Sequence, residues 1–104
     1  MEYINANGIN NNSNQPQPEN EEVDKCIKYL KNIIENDVYN KTTSSYALKH
    51  LIDKEETYVS NGAFIEALRI LKMSYERCSE ESPNVWVKFD IKDLERAIKE
   101  YKSW

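Results

Sequence analysis

Apolar positions along this chain fall into four helix-like stripes and one alternating stretch, all beyond residue 19. Val23, Cys26, Ile27, Leu30, Ile33 and Ile34 recur at the spacing of one helix face. Asn20 is a favourable N-cap, and Glu21 and Glu22 then fall in a first turn whose dipole favours acids. A first helix is therefore predicted from Asn20, ending around Asn36–Asn40. A second is predicted from Thr42 or Thr43 to about Glu56 on Ala47, Leu48, Leu51 and Ile52. Its last turn carries Asp53, Glu55 and Glu56, which oppose the dipole, so that end is expected to fray. Thr57-Tyr58-Val59 makes a short connection, and Ser60 caps a third helix, with Asn61 and Gly62 in its first turn. Phe64, Ala67, Leu68 and Leu71 form its i, i+3, i+4, i+7 stripe.

The period changes after Met73. Val85, Val87, Phe89 and Ile91 alternate with Trp86, Lys88 and Asp90, which predicts a strand. Tyr75–Cys78 is its expected partner across the loop Ser79-Glu80-Glu81-Ser82-Pro83-Asn84. Asp90 then caps a last helix on Leu94, Ala97, Ile98 and Tyr101, with Asp93 placed to close a capping box. The expected fold is a small, mostly helical α+β single domain of order α-α-α-β-β-α over residues 20–104, with one β-hairpin. Residues 1–19 are rich in Asn, Gln and Pro and poor in apolar surface. They are expected to form a disordered tail whose deletion leaves thermal stability almost unchanged.

Charge placement sharpens this division. The chain has 104 residues and a net charge of -4. Residues 1–22 carry Glu2, Glu19, Glu21 and Glu22 and no Lys or Arg, so the remainder is neutral overall. A nucleic-acid binder usually shows a basic excess, because phosphate neutralisation supplies most of its affinity. Nucleic acid is thus a disfavoured partner. The two cysteines, Cys26 and Cys78, are far apart and read as reduced thiols. No apolar run approaches a membrane span, and the first residues lack a signal region, so a cytoplasmic location is expected.

Reactive groups are sparse. His50 is the sole histidine and has no ligand-like spacing to the cysteines. Gly8 and Gly62 cannot build a phosphate-cradling loop. Ser44 and Ser45 lie off the three- and four-residue spacing that would bring them to His50 on one helix. No catalytic residue, metal site or cofactor site is expected, and the chain reads as a non-enzyme.

Helix, short turn, helix and hairpin is the order of a winged helix-turn-helix. On that reading the third helix would present Asn61, Gly62, Ile65, Glu66, Arg69 and Lys72, and the 79–84 loop would be the wing. Glu80 and Glu81 would oppose phosphate there. Protein contacts suit the same surfaces better. Ile65, Glu66, Arg69, Glu80, Glu81 and Trp86 are the candidate partner-binding residues. Trp86 points away from Val85 and Val87, and is exposed unless the last helix covers it. Tyr58, Tyr75 and Trp104 are further aromatic candidates.

Three stretches carry a resemblance. Thr43-Ser44-Ser45-Tyr46-Ala47-Leu48-Lys49-His50, Tyr58-Val59-Ser60-Asn61-Gly62-Ala63-Phe64-Ile65-Glu66-Ala67-Leu68 and Pro83-Asn84-Val85-Trp86-Val87 together resemble small proteins encoded by bacterial phages and mobile elements. The likeness covers residues 43–90, and the middle stretch is its most specific part. Such proteins often place Gly-Tyr after the third helix, where this chain has Met73-Ser74-Tyr75. The resemblance implies an accessory protein, in a bacterial host cytoplasm, that binds and inhibits a host or defence protein in the manner of an anti-CRISPR. A winged-helix DNA-binding regulator and a phage structural or assembly factor are the alternatives.

Overall fold

A computed structural model describes residues 2–11 and 16–103. Its elements run β1 (Tyr3–Asn5), β2 (Gly8–Asn10), α1 (Asn20–Leu30), α2 (Ser45–Glu55), α3 (Asn61–Ile70), β3 (Tyr75–Arg77), β4 (Val85–Val87) and α4 (Ile91–Lys102). The fold is a small α+β domain of four helices and two antiparallel two-stranded sheets, β1-β2 and β3-β4. The helix stripes meet in one core. Leu30, Leu48, Ile52, Phe64, Leu68 and Leu94 are fully buried there, and Val85, Val87 and Phe89 close it from the hairpin side.

The caps of α3 and α4 follow the side chains the sequence supplies, whereas the expected Asn20 cap is corrected: Asn20 is the first helical residue of α1, and Glu19 before it makes no side-chain cap bond. Ser60 accepts from the Ala63 amide at 3.0 Å. Asp90 and Asp93 form the reciprocal box, at 3.0 and 2.9 Å. At the end of α2, where fraying is expected, each acid has a partner. Asp53 accepts from the Val59 amide at 2.7 Å and from the buried Lys49 at 2.9 Å. Glu55 pairs with Lys102 of α4. Glu56 pairs with Lys28 and accepts from the Tyr29 hydroxyl at 2.7 Å. Tertiary pairing thus outweighs an unfavourable dipole term of under about 1 kcal/mol.

The first helix is shorter than its stripe suggests. It stops at Leu30, and the chain then runs beside β4, where the Asn36 and Asn40 amides donate to the carbonyls of Lys88 and Val87. Ile34 is left 87% exposed.

The largest correction concerns the N-terminus. Residues 3–10, expected to be disordered, form the β1-β2 hairpin and dock on α3; residues 12–15 lie outside the described residues. Asn5-Ala6-Asn7-Gly8 makes the turn. The Asn5 side chain accepts from the Asn7 amide at 2.9 Å, as Asn favours at the start of a turn, and Gly8 takes a φ of +126°. Gly62 is where the hairpin crosses α3. A methyl group there would lie 1.5 Å from the Asn5 carbonyl oxygen, so only glycine admits this approach. The Gly62 amide donates to the Ala6 carbonyl at 3.1 Å, and the Ile9 amide to the Pro83 carbonyl at 2.9 Å. Ile9 is buried beneath.

Candidate functional site: an acidic face built by two hairpins

A buried polar hub fixes both hairpins on the helices. Asn61, at the start of α3, accepts from the Ser45 hydroxyl at 2.8 Å. Its amide nitrogen reaches the Asn7 carbonyl at 2.9 Å, the Asn84 side chain at 2.9 Å and the Pro83 carbonyl at 3.2 Å. The Ser45 hydroxyl accepts in turn from the Val85 amide at 3.0 Å. One asparagine therefore joins α2, α3, β1-β2 and the loop before β4. Buried polar groups satisfied in this way specify a single arrangement, because leaving any one unpaired costs about 1–3 kcal/mol.

Arg77 makes the second link. Its guanidinium donates to the Ser82 carbonyl at 2.6 Å, the Asn11 side chain at 3.0 Å and the Ile9 carbonyl at 3.2 Å, and lies 3.3 Å from the Glu2 carboxylate. The base at the centre of the wing-like hairpin is thus occupied internally. Around it a groove of about 700 Å³ is lined by Glu2, Asn11, Glu76, Cys78, Glu80 and Glu81. A second groove of about 400 Å³ adjoins through Glu2, with Glu66, Arg69, Ile4 and Tyr75 along it. Arg69 is paired with Glu66. Five carboxylates (Glu2, Glu66, Glu76, Glu80 and Glu81) stand against two guanidiniums across the two grooves, a net of -3. That is most of the net charge of -4 of the whole chain.

The candidate partner-binding residues divide on this map. Glu80 and Glu81 line the larger groove, and Glu66 and Arg69 the smaller. Ile65 is corrected: it is fully buried, one turn on from Asn61 and Gly62, and offers no surface. Asn61 and Gly62 are buried with it, so the N-terminal part of the α3 face that a groove-reading helix would present is covered, while Glu66, Arg69 and Lys72 remain accessible. Trp86 is half-buried opposite Glu76 on β3. Tyr58 is exposed and Tyr75 half-buried, whereas Trp104 lies outside the described residues. Sequence reasoning missed Glu2 and Asn11, which with Arg77 build the larger groove. The Asn7-Gly8 pair between Ile4 and Ile9 is the hairpin signal that could have placed them.

Other reactive groups lie elsewhere. Burial pushes the Cys26 thiol up, with Asp53 and Glu22 adding to the effect, and burial beside Glu76 pushes up Cys78. Both shifts oppose thiolate formation at neutral pH. His50 is half-exposed, edge-on to Tyr46 at 4.7 Å and 3.2 Å from Asp53. Among the described residues no group of three His, Cys, Asp or Glu side chains is placed to hold a metal, and no helix is long and apolar enough to cross a membrane. No protein-family model, curated protein or solved structure matches the chain.

Proposed function

We propose that this is a non-enzymatic accessory protein of a phage or mobile element that binds, through its acidic face, a basic surface of a host or defence protein and blocks it. The observation that carries the reading is the concentration of net charge on the grooves around Arg77, where both guanidiniums are already engaged by acids of the same face. Such a face steers association with a positively charged partner and repels phosphate. The accessory role and bacterial cytoplasmic setting rest on the resemblance of residues 43–90. Inhibition follows if the basic surface is one the partner needs for nucleic acid.

A winged-helix regulator is the alternative, supported by the order of α2, α3, β3 and β4. The hairpin lying across α3 and the acids of the 79–84 loop count against it. Fluorescence anisotropy with labelled duplex DNA at two salt concentrations separates the readings. The acidic-face reading expects no binding by the wild type. Tight binding that weakens steeply with salt would overturn it, since that slope reports phosphate contacts.

A further inference from the structure

The β1-β2 hairpin is attached in an unusual way for a piece of the fold. It contributes one side chain, Ile9, to the fully buried core, with Ile4 packed at the edge; the rest of that core comes from residues after 19. Its other attachments to the helices and β3-β4 include the Gly62-to-Ala6, Ile9-to-Pro83 and Asn61-to-Asn7 hydrogen bonds and the Arg77 guanidinium, all of them polar. The docked hairpin also carries an internal penalty. Asn5 is buried, and its side-chain nitrogen has no hydrogen-bond partner among the described residues. An unpaired buried donor weakens the state that buries it. A polar connection, residues 11–19, then leads to α1.

We propose that β1-β2 is a strap that opens as a unit, with the helical core and β3-β4 intact, and that its opening converts the α3 face and the acidic face together. When closed, it covers Asn61 and Gly62, supplies Glu2 and holds Arg77. When open, it uncovers the start of α3, withdraws Glu2 and releases the Arg77 guanidinium from Glu2, Asn11 and Ile9, leaving its bond to the Ser82 carbonyl. The two glycines of the chain mark this contact: Gly62 lies under the Asn5 carbonyl, and Gly8 against Pro83 and Asn61. Phe64, Leu68, Leu30 and Val85 are fully buried core residues supplied by elements other than the strap, so most of the core lies outside it. The consequence for partner binding rests on the proposed acidic-face function; the opening itself does not.

Native-state hydrogen exchange on the full chain, at several low denaturant concentrations, tests this. The Ile9 and Gly62 amides donate only across the docking contact, so they report strap opening. They are expected to exchange at least about tenfold faster than the Leu30 and Leu68 amides of α1 and α3, with a weaker dependence on denaturant, as sub-global openings do. Gly62→Ala is expected to abolish protection at Ile9 while Leu30 and Leu68 stay protected. Equal rates and equal denaturant dependence for all four amides in the wild type would overturn the proposal. So would loss of Leu30 and Leu68 protection in the variant.

Discussion

Replacing Gly62 with alanine sets two accounts of the N-terminus against each other. In an open helix this change stabilises, because alanine exceeds glycine by up to about 1 kcal/mol in helix propensity. Here the new methyl group would lie 1.5 Å from the Asn5 carbonyl oxygen and 2.6 Å from its carbon. Both are backbone atoms, so no rotamer change relieves the clash. Restoring an ordinary contact requires the Asn5-Ala6 peptide to move by about 2 Å, given that heavy atoms pack at roughly 3.5–4 Å. That displacement breaks the 3.1 Å hydrogen bond from Gly62 to Ala6 and draws Ile9 out of its buried site. One hydrogen bond is worth about 1 kcal/mol, and burial of an Ile side chain up to about 1.5–3 kcal/mol. After subtracting the helix gain, a net loss of about 1.5–3 kcal/mol remains, which lowers the Tm of a domain this size by roughly 6–20 °C. Circular dichroism melts of the two proteins measure it. An unchanged or raised Tm would refute the docking of β1-β2 on α3.

Other consequences follow from particular residues. Asp53→Ala strands the buried Lys49 and should cost about 3 kcal/mol in urea denaturation, whereas Lys49→Met should cost much less; equal costs would contradict the pairing argument. Lys72 ends α3 with a φ of 59°, so Lys72→Gly should stabilise by about 1 kcal/mol, and a lower urea midpoint would count against that strain. The acid limb of stability should follow Glu56, whose pKa is held down by hydrogen bonds from Lys28 and Tyr29. Its contribution is present above the ordinary 4.5 and is lost as pH falls below it. The alkaline limb should follow Cys26, which burial keeps protonated when folded while the unfolded thiol ionises near 9.0. Tm should therefore fall above about pH 9, less steeply in Cys26→Ala, and an equal slope in that variant would exclude the thiol as the cause.

The helices and the β3-β4 hairpin were legible because their burial is apolar and periodic. Phe64, Ala67 and Leu68, or Val85 and Val87, announce a face through spacing alone. The N-terminal hairpin escaped that logic. It is held by Asn side chains, backbone carbonyls and a glycine contact, none of which leaves a hydrophobic period. A composition that reads as disorder thus hides Asn5 and Ile9, both almost wholly buried. Two other departures have the same root. The stripe of α1 extends through Ile33 and Ile34, but the backbone leaves the helix to bond with Lys88 and Val87. The acids ending α2 look destabilising in isolation, and Glu56 and Glu55 acquire Lys28 and Lys102 only on folding. In the candidate site, Glu80 and Glu81 were legible as loop charges. Their union with Glu2 and Glu66 was not, because it depends on where the hairpin docks. Ile65 read as surface because it flanks the main stripe of α3, yet it is fully buried.

The acidic face is tested most directly by affinity capture from nuclease-treated bacterial lysate, comparing the wild type with the double reversal Glu80→Lys and Glu81→Lys. Loop charges contribute little to folding, so the variant should keep the wild-type Tm and isolate the effect on binding. The account predicts a discrete protein retained by the wild type after nuclease treatment and lost from the variant, since charge complementarity governs encounter and specificity. Capture that disappears with nuclease, or that survives or strengthens on reversal, would contradict it.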